Sequence, residues 1–298
     1  MRISNNQFFG SFLKYDQVRQ KNLDKYSNQI SSGKRILSPS DDPVALAKSL
    51  KLKETNTQIE NYLRNITSVQ ARQEAAETAL SNIYDTAQDA RVEIIRLLNH
   101  GVLDQEDADI VGDYLKGLKN YIIDQANTKV GNVYLFGGTK SDTEPFDTDG
   151  KYQGNNETQK VPVSQSYQVQ STFDGGEYLE ASATQPIKIV EVLNRITQAI
   201  DNRDLSGITE QDLADFDEGM ETIGKSRSLI GAQAANLEDF RLQYEAQKTL
   251  YNDMISKLED ANIAEAISKM EQSKVAYEAS MAVFNQNKDL SLLKYFAA

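Results

Sequence analysis

From Ile59 to Leu97 the chain places Ile59, Tyr62, Ile66, Val69, Gln73, Ala76, Leu80, Ile83, Ala87, Ala90, Ile94 and Leu97 at strictly alternating steps of three and four. Only Gln73 interrupts the apolar run. A 3.5-residue repeat held this long keeps one narrow stripe on one side of a helix, the pattern of a coiled-coil seam rather than of a globular helix. The remaining segments are read as partners for that seam. Val111, Leu115, Leu118, Ile122, Gln125 and Lys129 repeat the stepping, which predicts a helix laid antiparallel on the first through a short loop at residues 99–104. A third run carries the pattern from Leu213 through Phe216, Met220, Ile223, Arg227, Ile230, Ala234, Leu237, Arg241, Tyr244, Lys248, Tyr251 and Ile255 to Leu258. Its polar members are all basic and are read as packing residues whose stems lie along the seam, with interhelical ion pairs second.

Helix boundaries follow from local chemistry. Residues 1–35 predict a helix with Phe8, Phe12, Tyr15, Leu23, Tyr26 and Ile30 on one stripe, interrupted by Asp16 and Arg19 and stopped at Gly33. The turn Ser38-Pro39-Ser40-Asp41-Asp42-Pro43 restarts the chain, with Pro43 at the first helical position and Asp42 or Asp41 accepting backbone N–H groups at the cap. From Pro43 a helix can run to about Asn99, a span of ~85 Å. Asp104, Glu106, Asp107 and Asp109 open the next helix, where negative charge suits the N-terminus. Pro186 restarts helix with Ile189, Leu193, Ile196 and Ile200 on one face, and Thr209 caps the long run that follows. Asp260 is read as the start of a last helix in which Ile263, Met270, Tyr277 and Phe284 recur every seventh residue, while Ser273, Ser280 and Asn287 weaken the seam between them.

Between the helices the pattern changes. Residues 132–138 read as a short strand ending in glycines, and Val161, Val163, Tyr167 and Val169 alternate by two. Asp149-Gly150 and Asp174-Gly175-Gly176 read as hairpin turns. Asp147-Thr148-Asp149-Gly150 fails as a calcium loop, because Lys151 and Thr158 stand where acids are required. The predicted fold is mainly α: an elongated antiparallel coiled-coil-like rod with a small inserted β domain. Its parts are an N-terminal assembly helix over 1–45, rod halves over 46–140 and 186–258, a β-rich insertion over 141–185, and a C-terminal assembly helix over 259–298 that pairs with 1–45.

Composition narrows the function classes. The chain has 298 residues, net charge -12, one His and no Cys. Residues 1–36 carry seven Lys or Arg against two Asp, but these are scattered along a helix and the acidic remainder would repel phosphates, so nucleic acid is not an expected partner. No apolar run approaches a membrane span, so no membrane partner is expected. Residues 1–15 lack the features of a cleaved signal peptide. One His and no Cys cannot build a Ser-His-Asp or Cys-His set, and no glycine-rich phosphate loop joins a strand to a helix. His100 reads as a solvated loop residue. No enzyme activity, metal or cofactor is expected.

The two ends resemble a known family. Gln29-Ile30-Ser31-Ser32-Gly33-Lys34-Arg35-Ile36 with Ser38-Pro39-Ser40-Asp41-Asp42-Pro43 is similar to the N-terminal signature of the bacterial flagellin superfamily. Ile255-Ser256-Lys257-Leu258-Glu259-Asp260-Ala261-Asn262, Ala264-Glu265-Ala266-Ile267 and the closing Leu290-Ser291-Leu292-Leu293 resemble its C-terminal signature. Long motifs at both ends, in the right order, are far less prone to chance matching than one short signature. Pro43, where flagellins usually carry Ala, with Ala126-Asn127-Thr128-Lys129, Tyr134-Leu135-Phe136-Gly137-Gly138-Thr139 and Pro145-Phe146, resembles the hook-associated branch rather than filament-forming flagellins. The β insertion and residues 186–208 lie outside the resemblance.

The resemblance implies an extracellular structural subunit of the bacterial flagellum, exported without a cleaved signal and joining hook to filament; the alternative is a filament-forming flagellin. A cytosolic coiled-coil adaptor or secretion chaperone is the reading from a different class. Implied partners are copies of itself in a ring or short helical layer, a neighbouring hook-associated protein on the hook side, flagellin on the filament side, and an export chaperone at the C-terminal helix. The expected assembly interface comprises Phe12, Leu23, Tyr26, Ile30, Ile263, Met270, Tyr277, Phe284, Leu292 and Leu293, with Pro39, Asp41, Asp42 and Pro43 as the turn and cap motif.

Overall fold

The computed structural model describes residues 2–99 and 105–289, with side chains described for 10–99 and 105–286. Phe8, His100, Asp104, Asn287, Leu292 and Leu293, whose roles are inferred above from sequence, lie outside the described side chains. The elements in order are α1 (Arg2–Ser32), α2 (Pro43–Leu98), α3 (Gln105–Ala126), β1 (Lys129–Val130), β2 (Val133–Tyr134), β3 (Lys160–Pro162), β4 (Gln168–Gln170), α4 (Gly175–Tyr178), α5 (Lys188–Asp201), α6 (Glu210–Glu259) and α7 (Ile263–Asp289). The chain is therefore mainly α with a small β-containing insertion, as the periodicity indicates. Helix α1 stops where Gly33 takes φ +68°. A Cβ there would meet nothing within 4 Å, so handedness rather than space selects glycine.

The chain divides into two compact units: residues 59–245, and residues 1–58 with 246–298. Helices α2 and α6 contribute residues to both.

In the 59–245 unit the seam read from α2 is the core. Ile59, Ile66, Val69, Gln73, Ala76, Leu80, Ile83, Ala87, Ala90, Ile94 and Leu97 are all buried, and Tyr62 is half-buried with its ring stacked on Tyr244. From α3 come Val111, Leu115 and Ile122, from α5 Ile189, Leu193, Ile196 and Ile200, and from α6 Phe216, Met220, Ile223 and Ile230. Gln73 Nε2 donates to Gln233 at 3.5 Å while its Oε1 is buried without a hydrogen-bond partner among the described residues, and Asn82 donates to Gln125 at 2.9 Å across the helices. Among the basic seam residues of α6, Arg227 forms a fork onto Glu77 Oε1 at 3.2 and 2.7 Å. There the interhelical ion pair forms alongside packing, with the guanidinium 5.7 Å from the centroid of the Tyr84 ring. Helix α3 ends at Ala126, so Lys129 leaves the expected seam for β1, where its ammonium lies over the Tyr134 ring.

The insertion packs onto the helices. Strands β3 and β4 pair antiparallel with Val161 opposite Val169, and Val163 and Val169 are buried with Ile66, Val69 and Leu237. Phe136, Phe146, Tyr152, Phe173 and Tyr178 join the main core. The segment 132–138, read as one strand, supplies only the two residues of β2, which pair with β1 just before it, and continues in turns. Asp149-Gly150 makes the expected turn, with Gly150 at φ +82° and Phe146 bridged to Tyr152. Asp147 Oδ1 accepts the Asp149 and Lys151 N–H groups there, a turn role rather than a metal one. Asp174-Gly175-Gly176 is not a hairpin turn: Asp174 Oδ1 accepts the Gly176 N–H at 2.8 Å and caps α4. Glycine is required at 175 because a Cβ would lie 2.7 Å from the Phe136 carbonyl oxygen.

Candidate assembly interface

The two signature segments, far apart in sequence, meet within the unit formed by residues 1–58 and 246–298. Lys34 and Asp260 form an antiparallel bridge, with Arg35 N–H donating to the Glu259 carbonyl at 2.6 Å and Ala261 N–H to that of Gly33 at 2.9 Å. Lys34 Nζ lies 2.6 Å from Asp260 Oδ1 and 3.6 Å from Glu259 Oε2. Arg35 donates to the Leu258 carbonyl at 2.7 Å and to Asp42 Oδ2 at 3.1 Å, tying the end of α6 to the start of α2. Buried Gln29 donates to the Arg35 carbonyl at 2.7 Å. The last residue of α6, Glu259, is buried, and its Oε1 accepts from Ser49 Oγ and Lys53 Nζ. Burial pushes this carboxyl up, but the hydrogen bonds from Lys53 and Ser49 and the charges of Lys53 and Lys34 outweigh it, leaving the group below its ordinary value.

The turn motif divides its work between the two aspartates. Asp42 is the cap: its Oδ1 accepts the Ala45 N–H at 2.9 Å, with Pro43 at the first helical position, where a missing N–H costs nothing. Asp41 instead holds the turn, its Oδ2 accepting the Leu37 and Ser38 N–H groups at 3.0 and 2.9 Å and its Oδ1 the Lys25 ammonium at 3.1 Å. The Ser38 backbone bond and then Lys25 bring the Asp41 carboxyl down to about 2. Pro39 is exposed within the same turn. At the far side Asn262 Oδ1 accepts the Glu265 N–H at 3.2 Å and caps α7. The signature residues thus form one knot joining four helix ends.

From this knot α1 and α7 run as an antiparallel pair, with Phe12 stacked on Phe284 at a centroid distance of 4.2 Å. Phe12, Leu23, Tyr26, Ile30, Met270, Tyr277 and Phe284 are all half-buried along it. Ile263 is not brought onto this seam: it is exposed and Ala266 is buried in its place. Ile263 is the first residue of α7 and its side chain tilts back beyond the helix start, so the buried stripe begins at Ala266. The pair leaves apolar side chains uncovered on its outside, with Leu13, Tyr15, Val18, Ile267, Val275 and Val283 exposed. A groove of ≈ 580 Å³ opens between the helices, lined by Phe12, Tyr15, Arg19, Ala276, Ala279 and Val283 among others. Asp16 Oδ1 is shut off from solvent without a hydrogen-bond partner among the described residues. Two helices alone leave such a seam half open, and further apolar surface is needed to close it.

Spacing does not single out Ser49, Lys53, Gln29 or Glu259, although Gln29 lies inside the N-terminal signature and Glu259 inside the C-terminal one. Ser49 and Glu259 are 210 positions apart, and only the fold brings them together.

Comparison with known proteins agrees with this arrangement. Residues 3–141 match the bacterial flagellin N-terminal helical region and residues 213–296 the bacterial flagellin C-terminal helical region, in that order, covering both sides of the knot and both paired helices. The chain belongs to the bacterial flagellin family. Flagellar hook-associated protein 3 of Escherichia coli K12 is 32% identical over 178 residues, 58% of this chain and 56% of the relative. The Salmonella typhimurium protein of the same name is 30% identical over 156 residues, 52% of this chain and 49% of its own length. The chain thus spans about half the length of the curated relatives it matches. A solved structure from Vibrio parahaemolyticus, described as a flagellar hook-associated protein, aligns with a TM-score of 0.67 at 21% identity, covering 74% of this chain and all of that one, and shows the shared fold. Among the described residues no helix is long and apolar enough to cross a membrane.

Proposed function

We propose that this flagellin-family chain is a structural, non-catalytic subunit of the extracellular flagellum that joins hook to filament. The observation that carries the reading is the α1–α7 pair. Its seam is half-buried with apolar residues exposed outside it, and it is tied to the rest of its unit by the knot of signature residues. Such a pair gains stability when other subunits cover it. Residues 1–45 and 259–298 are the assembly segments, residues 141–185 the insertion, and copies of the chain associate through the paired helices in a ring or short helical layer. A hook-associated neighbour contacts one side and flagellin the other, and an export chaperone takes the C-terminal helix before assembly. The junction reading is favoured over a filament-forming flagellin by two relatives named hook-associated protein 3 and by Pro43 at the start of α2.

The test is immunogold electron microscopy of intact flagella with an antibody raised against residues 141–185. One narrow labelled band at the base of the filament is expected. Label along the whole filament would replace the junction reading with flagellin, and label confined to the cell interior would overturn both.

A further inference from the structure

Two surface features away from the paired helices have matching chemistry. The first is a groove of ≈ 450 Å³ between the first turns of α2 and the last turns of α6, lined by Lys48, Lys51, Leu52, Met254, Lys257 and Leu258. Its floor is apolar and its rim carries three cations and no acid. Lys51 and Lys257 are 2.8 and 2.6 Å from Glu54 and Asp253 on their own helices, but these are exposed pairs of the kind that contribute little and exchange readily. The second is a ridge on α3. Ile110, Tyr114 and Tyr121 are 66%, 49% and 45% exposed and share one side of the helix, about 100° round from Val111, Leu115 and Ile122 in the core. Gly117, between the two tyrosines, leaves the ridge flat in the middle, since a Cβ there would meet nothing within 4 Å. Glu106, Asp109 and Asp113 flank the N-terminal half of the ridge, with Asp109 Oδ1 accepting from Gln105 at 2.8 Å and Asp113 3.5 Å from Lys116, both exposed contacts within α3 that exchange as readily as those of the lysines.

We infer that the Ile110–Tyr114 ridge of one copy docks in the lysine-rimmed groove of a second copy. Ile110 and Tyr114 cover Leu52, Met254 and Leu258, and Asp109 and Asp113 face the lysines. Each feature supplies what the other lacks, large apolar side chains edged by acid against an apolar floor edged by cations, and opposite potentials fix the register of such a contact. The two patches differ, so the contact is head-to-tail and extends from copy to copy into a ring or helix, whereas a two-fold dimer would pair one patch with itself. This rests on the assembling role proposed above and names one of its subunit contacts.

The absence of native cysteine makes the test clean. Flagella carrying the full chain with Tyr114→Cys and Met254→Cys together are oxidised and run on a denaturing gel. A ladder of dimers, trimers and higher species is expected, absent from either single variant. Lys48→Glu with Lys257→Glu should lower the ladder about tenfold, and adding Asp109→Lys with Asp113→Lys should restore it. No ladder in flagella that retain the basal gold band would overturn this contact and leave the junction reading intact. Dimers from Tyr114→Cys alone would overturn it in favour of ridge-to-ridge pairing, and failure of the reversed charges to restore the ladder would overturn the assigned register. Loss of the gold band from unaltered flagella would remove both readings.

Discussion

Replacing Glu259 isolates the chemistry of the knot. Its carboxylate is buried and accepts from Ser49 Oγ, itself fully buried, and from Lys53 Nζ, with Lys34 Nζ 3.6 Å from the other oxygen. Glu259→Gln keeps an acceptor for Ser49 and removes the charge facing two lysines that are each nearly half exposed, so solvent screening limits the loss to about 1–2 kcal/mol. Glu259→Leu also strands the Ser49 hydroxyl, adding about 1–3 kcal/mol. The pH dependence separates charge from packing. The folded carboxyl sits below its ordinary 4.5. Its ionised form therefore contributes in full above that value, and the contribution is lost as the pH falls through the lowered folded value. Urea unfolding of the full chain and of Glu259→Gln should differ by about 1–2 kcal/mol at pH 7, and the gap should close as the medium is taken below pH ~4. Titration of the other carboxylates is common to both proteins and cancels in the difference. Hydrogen exchange in peptides covering residues 29–49 and 255–262 should report the same loss locally. A gap under about 0.5 kcal/mol at pH 7, or one unchanged at low pH, would refute the charge-based account.

Four further outcomes follow from the geometry. Gly219→Ala should lower stability by about 1–3 kcal/mol, since its Cβ would sit 2.7 Å from Ile189 Cγ2 and 3.1 Å from the Ile189 nitrogen, whereas Gly224→Ala and Gly231→Ala, with open space around them, should raise it by about 0.5–1 kcal/mol each in thermal unfolding. Asp42→Ala should lower the midpoint of thermal unfolding by removing the α2 cap. Asp41→Asn should lower stability at neutral pH but matter progressively less in urea melts as the pH falls from 3.8 towards 2, where the wild-type carboxylate itself protonates. Tyr277→Asp with Phe284→Asp should abolish incorporation into flagella, scored by immunoblot of sheared flagella, while circular dichroism of the purified chain retains the unfolding transition of the 59–245 unit.

Much of the fold is legible in the chain because its core is one-dimensional. A helix that buries a single narrow stripe writes that stripe into the sequence at every third or fourth position, and α2 obeys it from Ile59 to Leu97. Helix ends were equally legible where a single residue decides them, as Gly33, Pro43 and Asp42 do. The insertion was less so. Its β3–β4 hairpin follows the alternation, but Asp174-Gly175-Gly176 carries the chemistry of a turn and of a helix start alike, and the nearby Phe136 carbonyl that demands glycine at 175 is not adjacent in sequence. Ile263 shows the limit of periodicity itself, since a seven-residue spacing says nothing about where the helix begins, and the first residue of α7 tilts back past its start.

The knot marks the deeper limit. Local patterns report a residue's own helix, whereas Ser49, Lys53 and Lys34 act on Glu259 across more than 200 positions, and a charge pattern says nothing about such pairing until the chain ends have met. That distance also has a physical consequence. The cluster exists only when both ends of the chain are folded against each other, so the free energy of the buried carboxylate is available only after the N-terminal and C-terminal segments come together. The helix pair that grows from it has a seam that leaves apolar side chains half exposed, so its stability depends on the knot at one end and on whatever surface covers its outer faces. Loosening the knot with Glu259→Gln should therefore impair incorporation into flagella even though Glu259 lies away from the exposed apolar residues, and retained incorporation alongside a measured loss of stability would separate the knot from assembly.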